Sequence, residues 1–154
     1  GGGRGHLLHA VLDASPHVAG ILFDLPEVVD TLDGAHPRMA RAAGDFFVDA
    51  LPTADAYVLM EVLHDWPDDE CLAILSAIRR AAPAEATVLV VEGVLDPEVL
   101  DARADTLDVL MLAVTGGRER TTAELSELLT RTGFAPQRLI PTTGPMRIVE
   151  ARAV

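Results

Sequence analysis

Short apolar runs, each closed by an acid or a glycine, alternate with stretches of helical spacing along the chain. That alternation leaves few folds open, because parallel strands need a crossover between them and a helix is the usual one. The clearest pair lies mid-chain. Ala56-Tyr57-Val58-Leu59-Met60 reads as a buried parallel strand, and Pro67 opens a helical pattern from Asp68 to Arg80. Asp68, Asp69 and Glu70 fall in the first turn of that helix, where acids suit its dipole. Between the two stands Val62-Leu63-His64-Asp65-Trp66, which puts His64 at the carboxyl end of a central strand. In open α/β sheets ligands bind at that edge.

The remaining segments follow the same rhythm. His6 to Ala14 reads as a helix, Val18 to Phe23 as a strand finishing at Asp24, and Pro26 to Leu32 as a helix stopping near Asp33-Gly34. Met39 to Ala43 is a less apolar strand. Thr87 to Val91 is a β-rich strand ending at Glu92-Gly93. Ala104 to Val114 has helical spacing and is broken by Gly116-Gly117. Thr121 to Thr132 is a further helix, with Thr121 and Glu124 at capping-box spacing and Gly133 as its stop. Arg138 to Pro141 and Arg147 to Ala153 are two closing strands, joined through Thr143-Gly144-Pro145. This order predicts a single domain: a doubly wound, mostly parallel α/β sheet with helices on both faces and an antiparallel carboxyl-terminal hairpin.

Composition narrows the partners. Formal net charge is −12 and every basic residue is Arg, so the surface disfavours nucleic acid and anionic membrane. The single Cys71 excludes an internal disulfide and a cysteine zinc cage, and suits a reducing compartment. No run of 18 apolar residues and no signal-peptide pattern occurs. A soluble, cytoplasmic domain is expected.

The chain opens on Gly1-Gly2-Gly3-Arg4-Gly5, a glycine loop of the kind that follows a strand, yet no strand precedes it. The expectation is a fragment cut just after that strand. Such a loop ahead of a helix offers backbone amides and close approach to a nucleotide-like ligand. Asp24 lies 19 residues beyond Gly5 at the end of the next strand, where a carboxylate can accept from ribose hydroxyls. A dinucleotide fingerprint, G-x-G-x-x-G, would need glycine where His6 stands. The pattern here is G-x-G-x-G, the form associated with S-adenosylmethionine, which has a ribose and no pyrophosphate. Gly44-Asp45-Phe46 adds a second strand-end acid and a flat ring for a base. Two glutamates complete the candidate set. Glu92 ends the strand after the His64 unit, and Glu119 sits in Gly116-Gly117-Arg118-Glu119-Arg120-Thr121. A histidine works best as a base when a carboxylate fixes one ring nitrogen. Glu92 reads equally well as an exposed strand-end acid, and Glu119 as the partner of Arg118 or Arg120.

Taken in order, the glycine loop, Phe23-Asp24-Leu25-Pro26, Gly44-Asp45-Phe46-Phe47, Leu63-His64-Asp65-Trp66-Pro67-Asp68, Glu92 and Gly116-Gly117-Arg118-Glu119-Arg120-Thr121 resemble the small-molecule O-methyltransferases of plant and bacterial secondary metabolism. The resemblance covers almost the whole chain. It implies a Rossmann-like methyltransferase fold, S-adenosylmethionine as cofactor, and transfer of its methyl group to a hydroxyl of a small aromatic metabolite. It gives His64 the role of general base, flanked and oriented by Glu92 and Glu119. Gly1 and Gly3 fall to the methionyl end of the cofactor, Asp24 to its ribose, and Asp45 and Phe46 to its adenine. Met111 corresponds to a substrate-clamping methionine. Met60 stands where plant members often carry Lys, so a cofactor contact there is not a charged one. The family's amino-terminal helical domain, which supplies dimerisation and part of the pocket, has no counterpart in these residues.

Other classes compete. A non-catalytic methyltransferase-fold protein would not need His64, Glu92 and Glu119 together. A nucleotide-dependent oxidoreductase lacks its sixth-position glycine. A metal-dependent methyltransferase would draw on His64, Asp65, Asp68 and Asp69, but a helix's first turn accounts better for the last two.

Overall fold

In the computed structural model, residues 1–34, 36–96, 102–144 and 146–154 are described. Their strands form two hydrogen-bonded sheets, and the chain packs as two units, Gly1–Pro52 and Thr53–Val154.

The first unit runs α1 (His6–Ala14), β1 (Gly20–Asp24), α2 (Pro26–Val29) and β2 (Met39–Ala43). β1 and β2 are parallel, with Gly20 opposite Met39 and Asp24 opposite Ala43. Leu12 and Leu22 are buried in its core. β1 starts two residues later than the apolar run suggests. The Arg38 guanidinium takes the carbonyls of Leu12, Ser15 and Val18, so Val18 belongs to the corner after α1 and not to the ladder. α2 also falls short of Leu32. The amides of Thr31 and Leu32 bond three residues back, to Val28 and Val29, which tightens the helix into a turn that Arg41 closes on Leu32.

The second unit holds β3 (Ala56–Met60), a 3₁₀ turn (Leu63–Asp65), α3 (Asp68–Ala81), β4 (Thr87–Glu92), α4 (Ala102–Val114), α5 (Thr122–Arg131), β5 (Phe134–Pro141) and β6 (Arg147–Ala153). Its sheet has the order β3-β4-β6-β5, parallel between β3 and β4 and antiparallel from β4 onward. Within this unit β3 is therefore the end strand, where the sequence suggested a central one. Ile74, Leu75 and Ile78 of α3, Leu125 and Leu129 of α5, and Val88, Val90, Phe134 and Val149 of the sheet are buried. The alternation of β4 is decisive for the chemistry. Val88, Val90 and Glu92 lie on its buried positions, so the period of two carries an acid into the same layer as two valines.

The α/β class, with parallel pairs followed by a carboxyl-terminal antiparallel hairpin, matches the expectation. β5, however, starts at Phe134 and passes through Pro136, four residues ahead of the run at Arg138. Proline is tolerated there because β5 is an outer strand with a register shift between Pro136 and Arg138. Of the expected turn, Pro145 lies outside the described residues. Among the described residues no helix is long and apolar enough to cross a membrane.

α5 begins with the expected capping box. The Thr121 amide donates to Glu124 Oε2 at 2.8 Å, and the Glu124 amide to Thr121 Oγ1 at 3.2 Å. Gly133 follows the helix at φ 83°, a left-handed position glycine takes without penalty. Thr121→Ala should lower stability by about 0.5–2 kcal/mol, read as a lower denaturant midpoint at unchanged slope.

Candidate active site

His64 does not lie on the strand end itself. β3 stops at Met60, and Glu61 takes φ 52°, a left-handed conformation that side chains other than glycine seldom adopt. Its amide still donates to Val91 O at 3.0 Å, so the chain reverses there and winds into the 3₁₀ turn that carries His64. The side chain of His64 is 10% exposed.

Two glutamates meet this turn from different elements. Glu92, brought inside by the alternation of β4, accepts the amides of Val62 and Leu63 on one oxygen, at 3.2 and 2.6 Å. It thus holds the backbone leading into His64. Glu119 reaches the ring: its Oε1 lies 2.9 Å from His64 Nδ1, and its side chain is fully buried. The Glu119 amide is anchored in turn on Asp108 Oδ1 of α4 at 2.9 Å. The open pairing of Glu119 is thereby resolved in favour of His64 and against Arg118 or Arg120. Glu119 Oε2 has no hydrogen-bond partner among the described residues.

The electrostatics follow from this geometry. The hydrogen bond to Glu119 raises the His64 pKa above its ordinary 6.5, outweighing the burial that opposes charge; Glu92 and Asp65 act in the same direction. Burial pushes Glu92 up to about 7 against the pull of the imidazole and the two amides. A carboxylate can only accept, so in the neutral ring this contact puts the proton on Nδ1 and leaves the lone pair on Nε2. Nε2 is 3.7 Å from Asp65 Oδ1. His64, Glu92 and Glu119 offer ligand atoms within 4.8 Å of one another, a spacing a cation could use. Their hydrogen bonds, however, already assign them to one another and to backbone amides. The other metal set considered from sequence is drawn elsewhere, because Asp68 is engaged by two arginines.

Gly117 shows why the glycine pair precedes Glu119. A Cβ there would stand 2.0 Å from His64 O and 2.5 Å from the Asp65 carbonyl carbon. The two loops touch backbone to backbone, and Glu119 follows two residues later. Arg120, 1% exposed, is the participant sequence reasoning missed. It donates to Leu63 O at 2.9 Å, to Trp66 O at 2.8 Å and to Asp68 Oδ1 at 2.7 Å. Arg118 meets Asp68 at 3.1 Å and Glu124 at 2.7 Å. Burial opposes ionisation of Asp68, but these hydrogen bonds hold its carboxyl below the ordinary value, so its part exceeds that of a first-turn acid. Cys71 donates to Leu63 O at 3.2 Å, and burial pushes its thiol up to about 12, which removes it as a nucleophile. Met60 is 38% exposed at the end of β3, and Met111 is half-buried in α4; neither side chain joins the hydrogen bonds around His64.

In the first unit the glycine loop is tied to the end of β1. The Gly2 amide donates to Phe23 O at 2.9 Å, beside Gly1, and the Gly3 amide to Asp24 Oδ2 at 2.7 Å. Asp24 Oδ1 accepts the Leu25 amide at 2.7 Å. The parallel register sets Asp24 and the loop after β2 on one edge, and the Gly44 amide donates to Asp24 O at 2.9 Å. Asp45 folds back on the Phe47 amide at 2.8 Å, and the Phe46 ring stands edge-on to Phe47 with centroids 4.8 Å apart.

An O-methyltransferase domain family model matches residues 1–135. The chain is 39% identical over 160 residues to the phenazine O-methyltransferase of Lysobacter antibioticus, covering all of this chain and 47% of that protein. Human N-acetylserotonin methyltransferase, solved with SAM, overlays with TM-score 0.94 at 33% identity over 99% of this chain and 46% of that one. An O-methyltransferase from neocarzinostatin biosynthesis, solved with SAM and 2-hydroxy-5-methyl naphthoic acid, gives 0.87 at 37% identity over 100% and 47%. The chain spans about half the length of the curated relatives it matches.

The Gly117 contact gives a direct test. Gly117→Ala should force the two loops apart, cost at least about 1–3 kcal/mol in a denaturation experiment, and displace Glu119 from His64.

Proposed function

Because the chain belongs to the O-methyltransferase domain family, whose members are S-adenosylmethionine-dependent enzymes of small-molecule metabolism, we propose that it methylates a phenolic hydroxyl with His64 as general base. The observation that carries this reading is the buried His64–Glu119 pair at 2.9 Å, which fixes the tautomer and leaves Nε2 to receive a proton.

The first unit fits the family's cofactor by the character of its polar groups. The Gly3 amide is already given to Asp24, so the loop is not arranged to bind a pyrophosphate through it. What it presents is acceptors: Asp24 for ribose hydroxyls and Asp45, beside the Phe46 ring, for the adenine, with Gly1 and Gly3 at the methionyl end. Bound there, S-adenosylmethionine supplies an electrophilic methyl group on a sulfonium.

The chain's own work is alignment and proton removal. A phenol with pKa about 10 does not surrender its proton to a free imidazole of about 6.5 ahead of reaction. His64 therefore takes the proton on Nε2 while the oxygen attacks, and Glu119 offsets the charge the ring gains. Glu92 keeps the turn in place through Val62 and Leu63. Met111 clamps the acceptor, an aromatic small molecule of the kind named for the neocarzinostatin enzyme. The acting molecule is a cytoplasmic homodimer whose interface and part of whose acceptor pocket come from a helical amino-terminal domain.

His64→Gln in the full-length protein should lower kcat by roughly 10²–10⁴ and leave cofactor affinity nearly intact, with EDTA without effect on the wild type. Turnover surviving within a few-fold would make His64 structural. Only the neutral ring can act, and its pKa is raised, so wild-type kcat should climb as pH rises through a value above 6.5. Glu119→Gln keeps an acceptor but not the charge, so that limb should move to lower pH while the plateau drops. Asp24→Ala should weaken S-adenosylmethionine binding by roughly 1–3 kcal/mol in a calorimetric titration, and unchanged affinity would remove the ribose assignment.

A further inference from the structure

We propose that Arg120 is a positioning residue for His64, a buried strut that sets the distance between the imidazole and Glu119. The inference rests on the reading of His64 as the base, yet the contacts behind it are independent of that reading. Arg120 is 1% exposed, and its guanidinium brackets the histidine turn: Nη1 donates to Leu63 O on one side of His64 and Nη2 to Trp66 O on the other, at 2.9 and 2.8 Å. The fork is closed by Asp68 Oδ1, which accepts from Nε at 2.9 Å and from Nη2 at 2.7 Å. Nη1 also returns to Arg118 O at 3.2 Å, so the guanidinium clasps its own loop as well as the turn.

The covalent arrangement makes this a ruler. Arg120 follows Glu119 directly, and Leu63 precedes His64 directly, so fixing Arg120 to Leu63 fixes Glu119 to His64. The loop is seated a second time by the bridge between Val94 and Arg120, through which the Leu95 amide donates to Arg120 O at 3.1 Å. A buried arginine whose donors end on carbonyls and one half-exposed carboxylate is an expensive way to join two loops if joining were all that mattered. The planar fork reaches two carbonyls three residues apart with set angles, which a point-charge ammonium cannot do. A geometric role explains that choice of residue.

Arg120→Lys in the full-length protein is the test, because it keeps the charge and loses the fork. The readouts are the His64 titration by NMR and the kcat pH profile. The proposal expects the His64 pKa to fall toward 6.5 as the Glu119 hydrogen bond lengthens, kcat to drop by 10-fold or more, and KM values to stay within about 3-fold. Arg118→Gln removes a neighbouring cation from the same Asp68 without touching the turn carbonyls, and should leave both readouts near wild type. Should Arg120→Lys fail to fold, Asp68→Asn frees one side of the fork and should move both readouts the same way to a smaller extent. A His64 titration unchanged in the folded variants overturns the proposal. A His64 pKa that falls while kcat holds upholds Arg120 as the strut and overturns His64 as the base.

Discussion

Residues 63–66 and 117–120 lie against each other with no side chain between them at Gly117, and the chemistry of the second unit depends on that contact. It is a main-chain contact first. Only afterwards does it become an acid–base arrangement, because Glu119 and His64 are borne on the two loops that it brings together. Glu92 holds the turn from the sheet and Asp108 holds the Glu119 amide from α4, so the backbones on both sides of the imidazole–carboxylate pair are fixed. An imidazole held this way has one nitrogen spoken for and one with its lone pair, which suits a base. The burial that would disfavour its charge is outweighed by the carboxylate that stabilises it.

Much of this was legible before any coordinates. The alternation of apolar runs and helical spacing sufficed for the α/β class, since few other folds accommodate it. The strand period puts Glu92 on one face with Val88 and Val90, but at the strand's end it reads equally well as an exposed acid, and only the packing of the turn above it decides for burial. The capping box at Thr121 and the stop at Gly133 were local signals and emerged as such. What resisted reading was non-local. Val18 looks like a strand residue until Arg38, twenty residues away in sequence, takes its carbonyl. Strand β5 reaches back to Phe134 through Pro136, and a proline is tolerated there only because β5 is an outer strand, which is a matter of sheet order and not of local sequence.

The arginines show the same limit at the site. In Arg118-Glu119-Arg120 the nearest opposite charges are neighbours, which leaves His64 and the two arginines as rival partners of Glu119 and assigns the arginines no partner further along the chain. Consecutive side chains on an extended loop point apart, however. Glu119 goes to the ring, Arg120 to the backbone on both sides of it, and Arg118 outward to Asp68 and Glu124. The only sequence signal was chemical: an arginine can end on carbonyls as readily as on acids.

The order β3-β4-β6-β5 has a consequence for how the second unit comes into being. Strand β6 sits between β4 and β5, yet it is synthesised after both. As the chain emerges from a ribosome, β3 and β4 can already pair, and α3 can cover them. β5 must wait, since its ladder is made with β6 alone in this sheet. During that interval β4 carries an open edge beside a half-built hydrophobic layer, the kind of surface that nascent chains pair wrongly or that chaperones shield. Residues 147–153 therefore act as a late keystone, and the sheet that seats Glu92 is not complete until they arrive.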